Sequence, residues 1–584
     1  MALYSLDTET YLISSRLTPR LVCGQVCNES GEAALMDSAD TVKWVASTLH
    51  EGNSLVLQNA AYDLAVLMVE ADSLVNPIFT ALEEGRIYDT MIRERLINNA
   101  TGQSGKVSLA AMVERRYGVS IGGKDTTRLN FSSLDGVPLA EWPAHFKEYA
   151  TEDAIWTMRV YQHQAADKTI TSAGQPVIPL LDEQAQVRAA VALHLAAVWG
   201  MTVDPLRVVE FTQRVSEEAR AGILKATQLG FMRPNGTKNM AALKELVSIA
   251  YNGKPPTTAS GAVSTAREVL EDSGDTDLIE YAESLSAAKL LSTYVPILQQ
   301  ASVHPRYQPL VGTGRTSCRK PNMQNPPRQP GFRQCFRPRP GYKYVSADYS
   351  QIELLALSQI NLWLFGSSKM ADVIKQGKDL HCKFVADMQG RPYEEVYQAY
   401  RDGDPATTKA RQTAKGVLYG LPGGLGSAAL VKYLKGSGVV ITESEADKLR
   451  AQYLRSWPEM DLYYKRAAEL TKYGDATIVH PISGRQRAGL TWCQVLNTPF
   501  QGLTADGAKL ALWLVCRETM IGSGILKNSR VCLFLHDEIM LESPEADAEE
   551  AGAELSRLMI KGMQHFIPDL PIKAEAQITN EWQK

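Results

Sequence analysis

From the first residue to about 170, short apolar runs such as LYSL and LVLQ alternate with stretches of helical period, the pattern of an α/β domain. A turn-rich segment, TSAGQPVIP at 171–179, then reads as a linker. Between about 180 and 300 helical patterns dominate, broken at PNGTKN and NGKPPTTASG, which predicts long helices joined by a flexible tip. Residues 301–340 are irregular and rich in Pro and Arg; a strand and a helix follow over 342–360, then helices to about 478 and a mixed α and β region to the end. Two places break the apolar pattern with acids. In YVSADYSQIELL (344–355) the apolar run stops at Asp348, where a helix is ready to begin, so the carboxylate is either a cap or a charge exposed at a strand end. In SRVCLFLHDEIMLES (529–543) two apolar strands flank His536, Asp537 and Glu538, a hairpin that carries acids at its tip.

A length of 584 residues exceeds one hydrophobic core and implies several domains. No run of about 18 uninterrupted apolar residues is present to span a bilayer, so the expectation is a protein with no membrane association. MALYSLDTET has neither a basic n-region nor an apolar h-region, which points to the cytoplasm. The eight cysteines are scattered, and Cys23 with Cys27 lacks a second Cys or His pair to complete a zinc site, so reduced thiols are expected. Net charge is −4, yet it is unevenly spread. From Ser284 to Ala347 there are 64 residues without an acid and with ten bases, and Pro405 to Thr442 is a second acid-free run carrying Lys409, Arg411, Lys415, Lys432 and Lys435. Such blocks suit a polyanion partner.

Asp7 and Glu9 in LDTET are separated by one residue and so share one face of a strand. Asn59 and Asp63 in NAAYD, and Tyr149 and Asp153 in YATED, are each four apart, which places each pair on one helical face. Four carboxylates converging from three elements would repel one another unless cations held them, and oxygen donors of this kind suit Mg²⁺ or Mn²⁺. Two such ions can activate water and stabilise the leaving oxygen in phosphodiester hydrolysis. Towards the C-terminus, Asp348 and Asp537 stand as a second candidate pair. Between them, Arg411, Lys415 and Tyr419 recur every four residues, a helical stripe of two cations and a ring fit to hold a triphosphate and stack a base.

The set DxE, NxxxD and YxxxD resembles the proofreading 3′–5′ exonuclease domain of the DNA polymerase I family, with its RNase H-like fold. SADYSQIEL, RQTAKGVLYG and LHDE resemble the three polymerase motifs of family A DNA polymerases, and TGRTSCRKPNMQNPP and NTPFQGLTAD resemble two further family segments. The resemblance covers nearly the whole chain in order. It implies a multidomain α/β protein: an RNase H-like exonuclease domain at 1–175, then a right-hand polymerase with thumb at 176–300, palm at 301–360 and 481–584, and fingers at 361–480. In the exonuclease it implies that Asp7, Glu9, Asp63 and Asp153 bind two Mg²⁺ ions, for which Mn²⁺ can substitute, and that Tyr149 orients the attacking water. Asp89 also matches a family position.

In the polymerase it implies that Asp348, Asp537 and the Tyr349 carbonyl hold two metals. Glu353 would block a ribose 2′-OH. Gln351, His381, Arg411 and Lys415 would contact the nucleotide, with Lys415 protonating the leaving pyrophosphate and Tyr419 stacking on sugar and base. Arg315, Asn322, Gln324, Asn325, Asn497 and Gln501 would read the duplex minor groove through acceptors common to all base pairs, with His536 near the primer end and Glu538 a lesser neighbour of the metals.

The implied activity is template-directed DNA synthesis with proofreading in DNA replication, by a monomer acting on primer–template DNA and dNTPs, with helicase and primase as replisome partners. Two departures carry expectations. Gly423 stands where relatives often have tyrosine, so the templating pocket is built differently. Tyr419 stands where many relatives have phenylalanine, and its phenol predicts ready use of dideoxynucleotides. The DxE pair at residue 7 leaves no room for a preceding 5′ nuclease, and the thumb none for a long insertion, which resembles phage replicases and a location in the host cytoplasm. A nuclease that merely holds DNA, a non-catalytic scaffold and a single-subunit RNA polymerase are the alternatives. Intact Asp348, Asp537 and Lys415 oppose the first two, and Glu353 with the exonuclease set opposes the third.

Overall fold

The computed structural model describes residues 1–583 except 14–16, 122–126, 128, 172, 234, 259 and 328. Internal contacts divide the chain into one unit of Met1–Trp199, Arg306–Cys318 and Val345–Ile578 and another of Gly200–Pro305, Arg319–Tyr344 and Thr579–Lys584. The expected stretch 301–360 is thereby shared between the two. Among the described residues no helix is long and apolar enough to cross a membrane.

The first unit opens with a five-stranded sheet in the order Ala33–Asp37, Leu21–Asn28, Leu3–Thr10, Ser54–Leu57, Ile87–Asp89. The first three strands pair antiparallel and the last two join in parallel. Leu21–Asn28, the second in that order, is buried along seven of its eight residues, and the helix Ala144–Ala165 packs across it and Leu3–Thr10. Ser5 fixes that helix by donating its hydroxyl to the Ala154 carbonyl at 2.7 Å.

The helix Glu183–Trp199 is apolar nearly all round, as a helix buried on every side must be. It packs against the helix Ala60–Glu70, the strand Arg530–Leu535 and the 29-residue helix Trp492–Met520, joining the N-terminal sheet to the C-terminal one. Several polar groups on it and around it are buried with partners. Arg93 pairs with Glu183, Lys509 donates to Gln186 at 2.6 Å, and Arg485 is shared by Asp182 and Asp506. Three cations and three anions thus neutralise one another where an unpaired charge would be costly.

His480 lies beside this network, 2 % exposed, with neither ring nitrogen hydrogen-bonded. Burial, and then the positive charge of Arg485, lower its pKa to about 3. A histidine whose folded pKa lies below its unfolded value contributes stability above about pH 6.5 that is lost as pH falls towards 3. Urea unfolding between pH 7 and pH 5 therefore has a component that a His480→Leu variant lacks. The stability difference should move in the variant's favour by up to about 1 kcal/mol per pH unit; parallel pH profiles would refute this.

The C-terminal sheet runs Arg530–Leu535, Glu538–Pro544, Tyr342–Tyr349, Ala574–Thr579, its two outer-to-inner hairpin strands being antiparallel. Helices from Ile352–Phe365 to Glu459–Leu470 form a separate helical layer of the same unit, tied by the buried Glu459, which accepts from the Ser368 hydroxyl and the Met370 amide.

In the second unit the helices Pro205–Gln228 and Thr276–Thr293 approach so closely that a Cβ on Gly222 would collide with the Ser284 side chain. The segment between them, expected to be a flexible tip, is instead folded. Its helix Met240–Ala250 supplies Leu243 and Val247 to a core completed by Phe231, Leu270, Leu278 and Tyr281. Pro234 and Ala259, within the two breaks, lie outside the described residues, but the apolar residues between the breaks bury enough surface to order the segment.

Candidate active sites

Alternation along Leu3–Thr10 puts Ser5, Asp7 and Glu9 on one face. Because Ser5 pins the helix Ala144–Ala165 to that face, Asp153 is brought over the pair, and ligand oxygens of Asp7, Glu9 and Asp153 lie within 4.8 Å of one another. Tyr149, one turn earlier, is half-buried with its ring 5.8 Å from that of Phe131. Gln25, opposite Asp7 on the neighbouring strand, donates its amide to the Asp7 carboxylate. Burial, followed by the charges of Asp63, Glu9 and Asp153, pushes the Asp7 pKa well up.

Asp63 stands just outside this triplet. It sits in the first turn of Ala60–Glu70 as expected, but its carboxylate accepts from Thr8 Oγ1 at 2.6 Å, and Thr8 points to the opposite side of the strand from Asp7. Burial pushes Asp63 up to about 7, against the hydrogen bond from Thr8. Asp89 is a joint helix cap: it accepts from the amides of Met91 and Ile92 at 2.8 and 3.2 Å and from those of Asn59 and Ala60 at 3.2 and 2.9 Å. It thereby fixes the start of the helix that carries Asp63.

The donor set of the triplet is all oxygen, and its like charges are crowded at a half-buried place, which fits a hard divalent cation.

At the other site Asp348 is the exposed penultimate residue of Tyr342–Tyr349, a strand end rather than a cap. The cap of the following helix Ile352–Phe365 is Gln351, in left-handed backbone at φ 53°. Tyr349 buries its ring and donates its hydroxyl to the Met559 carbonyl at 2.7 Å, leaving only its backbone for the site. Asp537 lies in the hairpin turn after His536, whose φ of 53° turns the chain. Its charge is felt by Tyr349 beside Asp348, by Arg315, and by Tyr419 on the helix Pro405–Gly420. Arg315, Glu353, Lys509, Phe534, His536 and Asp537 line one cavity of about 170 Å³. Arg315 forms an ion pair with Glu353.

The stripe on Pro405–Gly420 is present, with Lys415 exposed and Arg411 and Tyr419 half-buried. Arg411 is already engaged. It donates to Asp379 at 2.7 Å, and its guanidinium carbon lies 4.4 Å from the centre of the Tyr400 ring. Asp379 also caps Leu380–Gln389 through the Cys382 amide and accepts from Gln351 at 3.3 Å. Although burial raises its pKa, the hydrogen bonds from His381 and Arg411 hold it well below the usual carboxylate range. His381 is 2 % exposed, set behind Tyr419 with ring centres 5.9 Å apart, so it is not at the surface of the stripe. Burial, and then the charges of Asp537 and Asp379, push the Tyr419 phenol up to about 12.

Asn497 and Gln501 lie one turn apart on Trp492–Met520, joined by a side-chain hydrogen bond of 3.4 Å. Asn497 also explains Gly423: a Cβ there would lie 3.0 Å from the Asn497 amide, so asparagine occupies the space beside the glycine. Asn322, Gln324 and Asn325 belong to the second unit, where the Asn322 side chain accepts from the amides of Gln324 and Asn325, both at 3.2 Å. Asp379 was missed from sequence; an acid two residues before His381 at a helix start was the available signal.

Residues 210–584 match the family description "DNA polymerase family A". The chain belongs to that family. Residues 3–165 match the description "3'-5' exonuclease". The chain is 27 % identical to a DNA polymerase I of Pseudomonas aeruginosa, covering 99 % of this chain and 63 % of the relative. With the DNA polymerase I of Aquifex aeolicus it shares 27 % identity over 69 % of this chain and 67 % of that one. With the thermostable DNA polymerase I of Thermus thermophilus it shares 30 % over 67 % of this chain and 46 % of that one. The chain thus spans about half to two thirds of the length of these curated relatives. Among solved structures it resembles the "POL domain of Pol1 from M. smegmatis complex with DNA primer-template and dNTP", with a TM-score of 0.72 at 18 % identity, covering 99 % of this chain and 95 % of the other. The fold is therefore the multidomain α/β architecture of an RNase H-like exonuclease domain followed by the palm, fingers and thumb of family A.

Proposed function

We propose that this family A protein extends a DNA primer along a template with dNTPs and shortens mismatched 3′ ends with its N-terminal domain. The observation that carries the reading is that Arg315, Glu353, His536 and Asp537, from separate segments of the chain, line one cavity, with Asp537 in the hairpin whose second strand lies beside the strand that carries Asp348. Primer–template DNA and dNTPs are the substrates. The protein acts as a monomer in the cytoplasm, in DNA replication beside helicase and primase, and a phage-type replicase is the proposed source.

Asp348, Asp537 and the Tyr349 carbonyl would hold Mg²⁺ at the polymerase site, and Asp7, Glu9 and Asp153, with Asp63 beside them, would do so in the exonuclease. When bound, Mg²⁺ supplies Lewis-acid stabilisation of phosphoryl oxygens and favours deprotonation of the attacking hydroxyl or water. The chain's own groups do the rest. Lys415 holds a proton for the leaving pyrophosphate. Arg411 exchanges Asp379 for the triphosphate as the helix Pro405–Gly420 closes, a step that adds selectivity by induced fit. Tyr149 orients water over the exonuclease carboxylates. Asn322, Gln324, Asn325, Asn497, Gln501 and Arg315 meet the duplex.

The test is incorporation of labelled dNMP into acid-insoluble DNA on a primed template with Mg²⁺ and with EDTA. The reading expects templated incorporation that EDTA abolishes. Incorporation independent of template or of divalent cation would overturn it.

The Tyr419 phenol adds a specific expectation: ddNTPs and dNTPs are incorporated with similar kcat/KM. Tyr419→Phe should then reject ddNTPs by at least about tenfold, the worth of one hydrogen bond to a charged group. Strong rejection of ddNTPs by the unaltered protein would remove that role.

A further inference from the structure

We propose that Arg315 is a positioning residue that locks the Glu353 carboxylate in place and thereby sets the discrimination between deoxyribo- and ribonucleotides. This rests on the reading of Glu353 as the residue that meets the sugar.

Glu353 lies in the first turn of Ile352–Phe365, two residues after the left-handed Gln351. Gln351 anchors that helix start by donating to Asp379 at 3.3 Å, and the Glu353 side chain is ion-paired with Arg315. The pair is partly open, with side-chain exposures of 32 % for Arg315 and 27 % for Glu353, and both groups border the cavity that Asp537 also lines.

Arg315 itself has a firm base. It closes a turn in which the Val311 amide donates to its carbonyl at 2.9 Å, and the turn is made by Gly314 at φ +90°. A Cβ on Gly314 would collide with the guanidinium of Arg485. Arg485 is buried and fixed by Asp182 and Asp506, so the turn rests on an immobile neighbour.

The physical argument concerns rigidity. A glutamate side chain on a helix surface samples several rotamers, and fixing it costs up to about 2 kcal/mol of conformational entropy. A wall that is to exclude one hydroxyl has to be rigid, since a mobile carboxylate moves aside or accepts a hydrogen bond from the hydroxyl. The planar guanidinium fork supplies that rigidity and still has donors left for a minor-groove acceptor of the primer terminus.

The test compares kcat/KM for dNTP and rNTP in the full chain carrying Arg315→Met, Arg315→Lys, Glu353→Ala or the Arg315→Met/Glu353→Ala pair. A general loss of turnover affects both sugars and cancels in the ratio. Arg315→Met and Glu353→Ala should each raise relative rNTP use by at least about tenfold, Arg315→Lys by less, and the double variant no more than Glu353→Ala alone, because two residues acting through one contact are non-additive. The proposal is overturned if Arg315→Met leaves the ratio unchanged while Glu353→Ala raises it. It is overturned equally if the two effects multiply in the double variant. An unchanged ratio in Glu353→Ala is a different failure: it removes the sugar-contact reading itself.

Discussion

Asp537→Asn is expected to lower dNTP incorporation by about a thousandfold or more, the equivalent of some 4 kcal/mol of transition-state stabilisation, while primer shortening continues at the original rate. The amide is close to isosteric and sits in a hairpin turn, so the strands Arg530–Leu535 and Glu538–Pro544 keep their pairing. What is lost is one of the two charges on which the proposed cation site depends, and the other carboxylate that lines the cavity, Glu353, is paired with Arg315. The exonuclease carboxylates are carried by the strand Leu3–Thr10 of a different sheet and by the helices Ala60–Glu70 and Ala144–Ala165, so their activity is the internal control. A reduction below tenfold, or parallel loss of both activities, would count against the assignment.

Asp7→Asn should have the opposite selectivity and an unusual second effect. Shortening of a 3′ end should fall by about a thousandfold or more, while extension persists. At the same time the protein should become more stable in EDTA at pH 8. The sign follows from the direction of the shift: Asp7 titrates well above its ordinary value because of burial and then Asp63, Glu9 and Asp153, so its ionised form opposes folding at high pH. A neutral amide removes that repulsion and retains a polar partner for Gln25. Added Mg²⁺ should stabilise the unaltered protein more than the variant. Urea unfolding with and without Mg²⁺ checks this; a variant less stable than the parent in EDTA would mean that Asp7 serves the fold rather than a cation.

Local periodicity carried much of this architecture. The face shared by Asp7 and Glu9 and the helical spacing of Tyr149 and Asp153 were legible because each depends only on positions two or four apart. Asp348 and Asp537 stood out because acids interrupted apolar strands. Contacts between distant residues were not legible. Arg411 meets Asp379 across 32 positions and Arg315 meets Glu353 across 38, so neither partner is marked by spacing. Gly423 could be recognised as a departure from the family, but that Asn497 fills the space beside it depends on how the helix Trp492–Met520 crosses the turn. For Asp63 the position in the first helical turn was legible, but the hydrogen bond its carboxylate accepts from Thr8, 55 positions away, was not. The segment between the two long helices of the second unit was misjudged because turn residues at its ends outweighed the sparse apolar residues within.

The most direct measurement is a gel of a 5′-labelled primer on a longer template with Mg²⁺, incubated with dNTPs, with rNTPs and without nucleotide. Two acid sites of opposed chemistry predict full extension with dNTPs, little extension with rNTPs, and progressive shortening when nucleotide is withheld. Shortening with no extension under any nucleotide condition would contradict the account, leaving a nuclease whose C-terminal region only holds DNA.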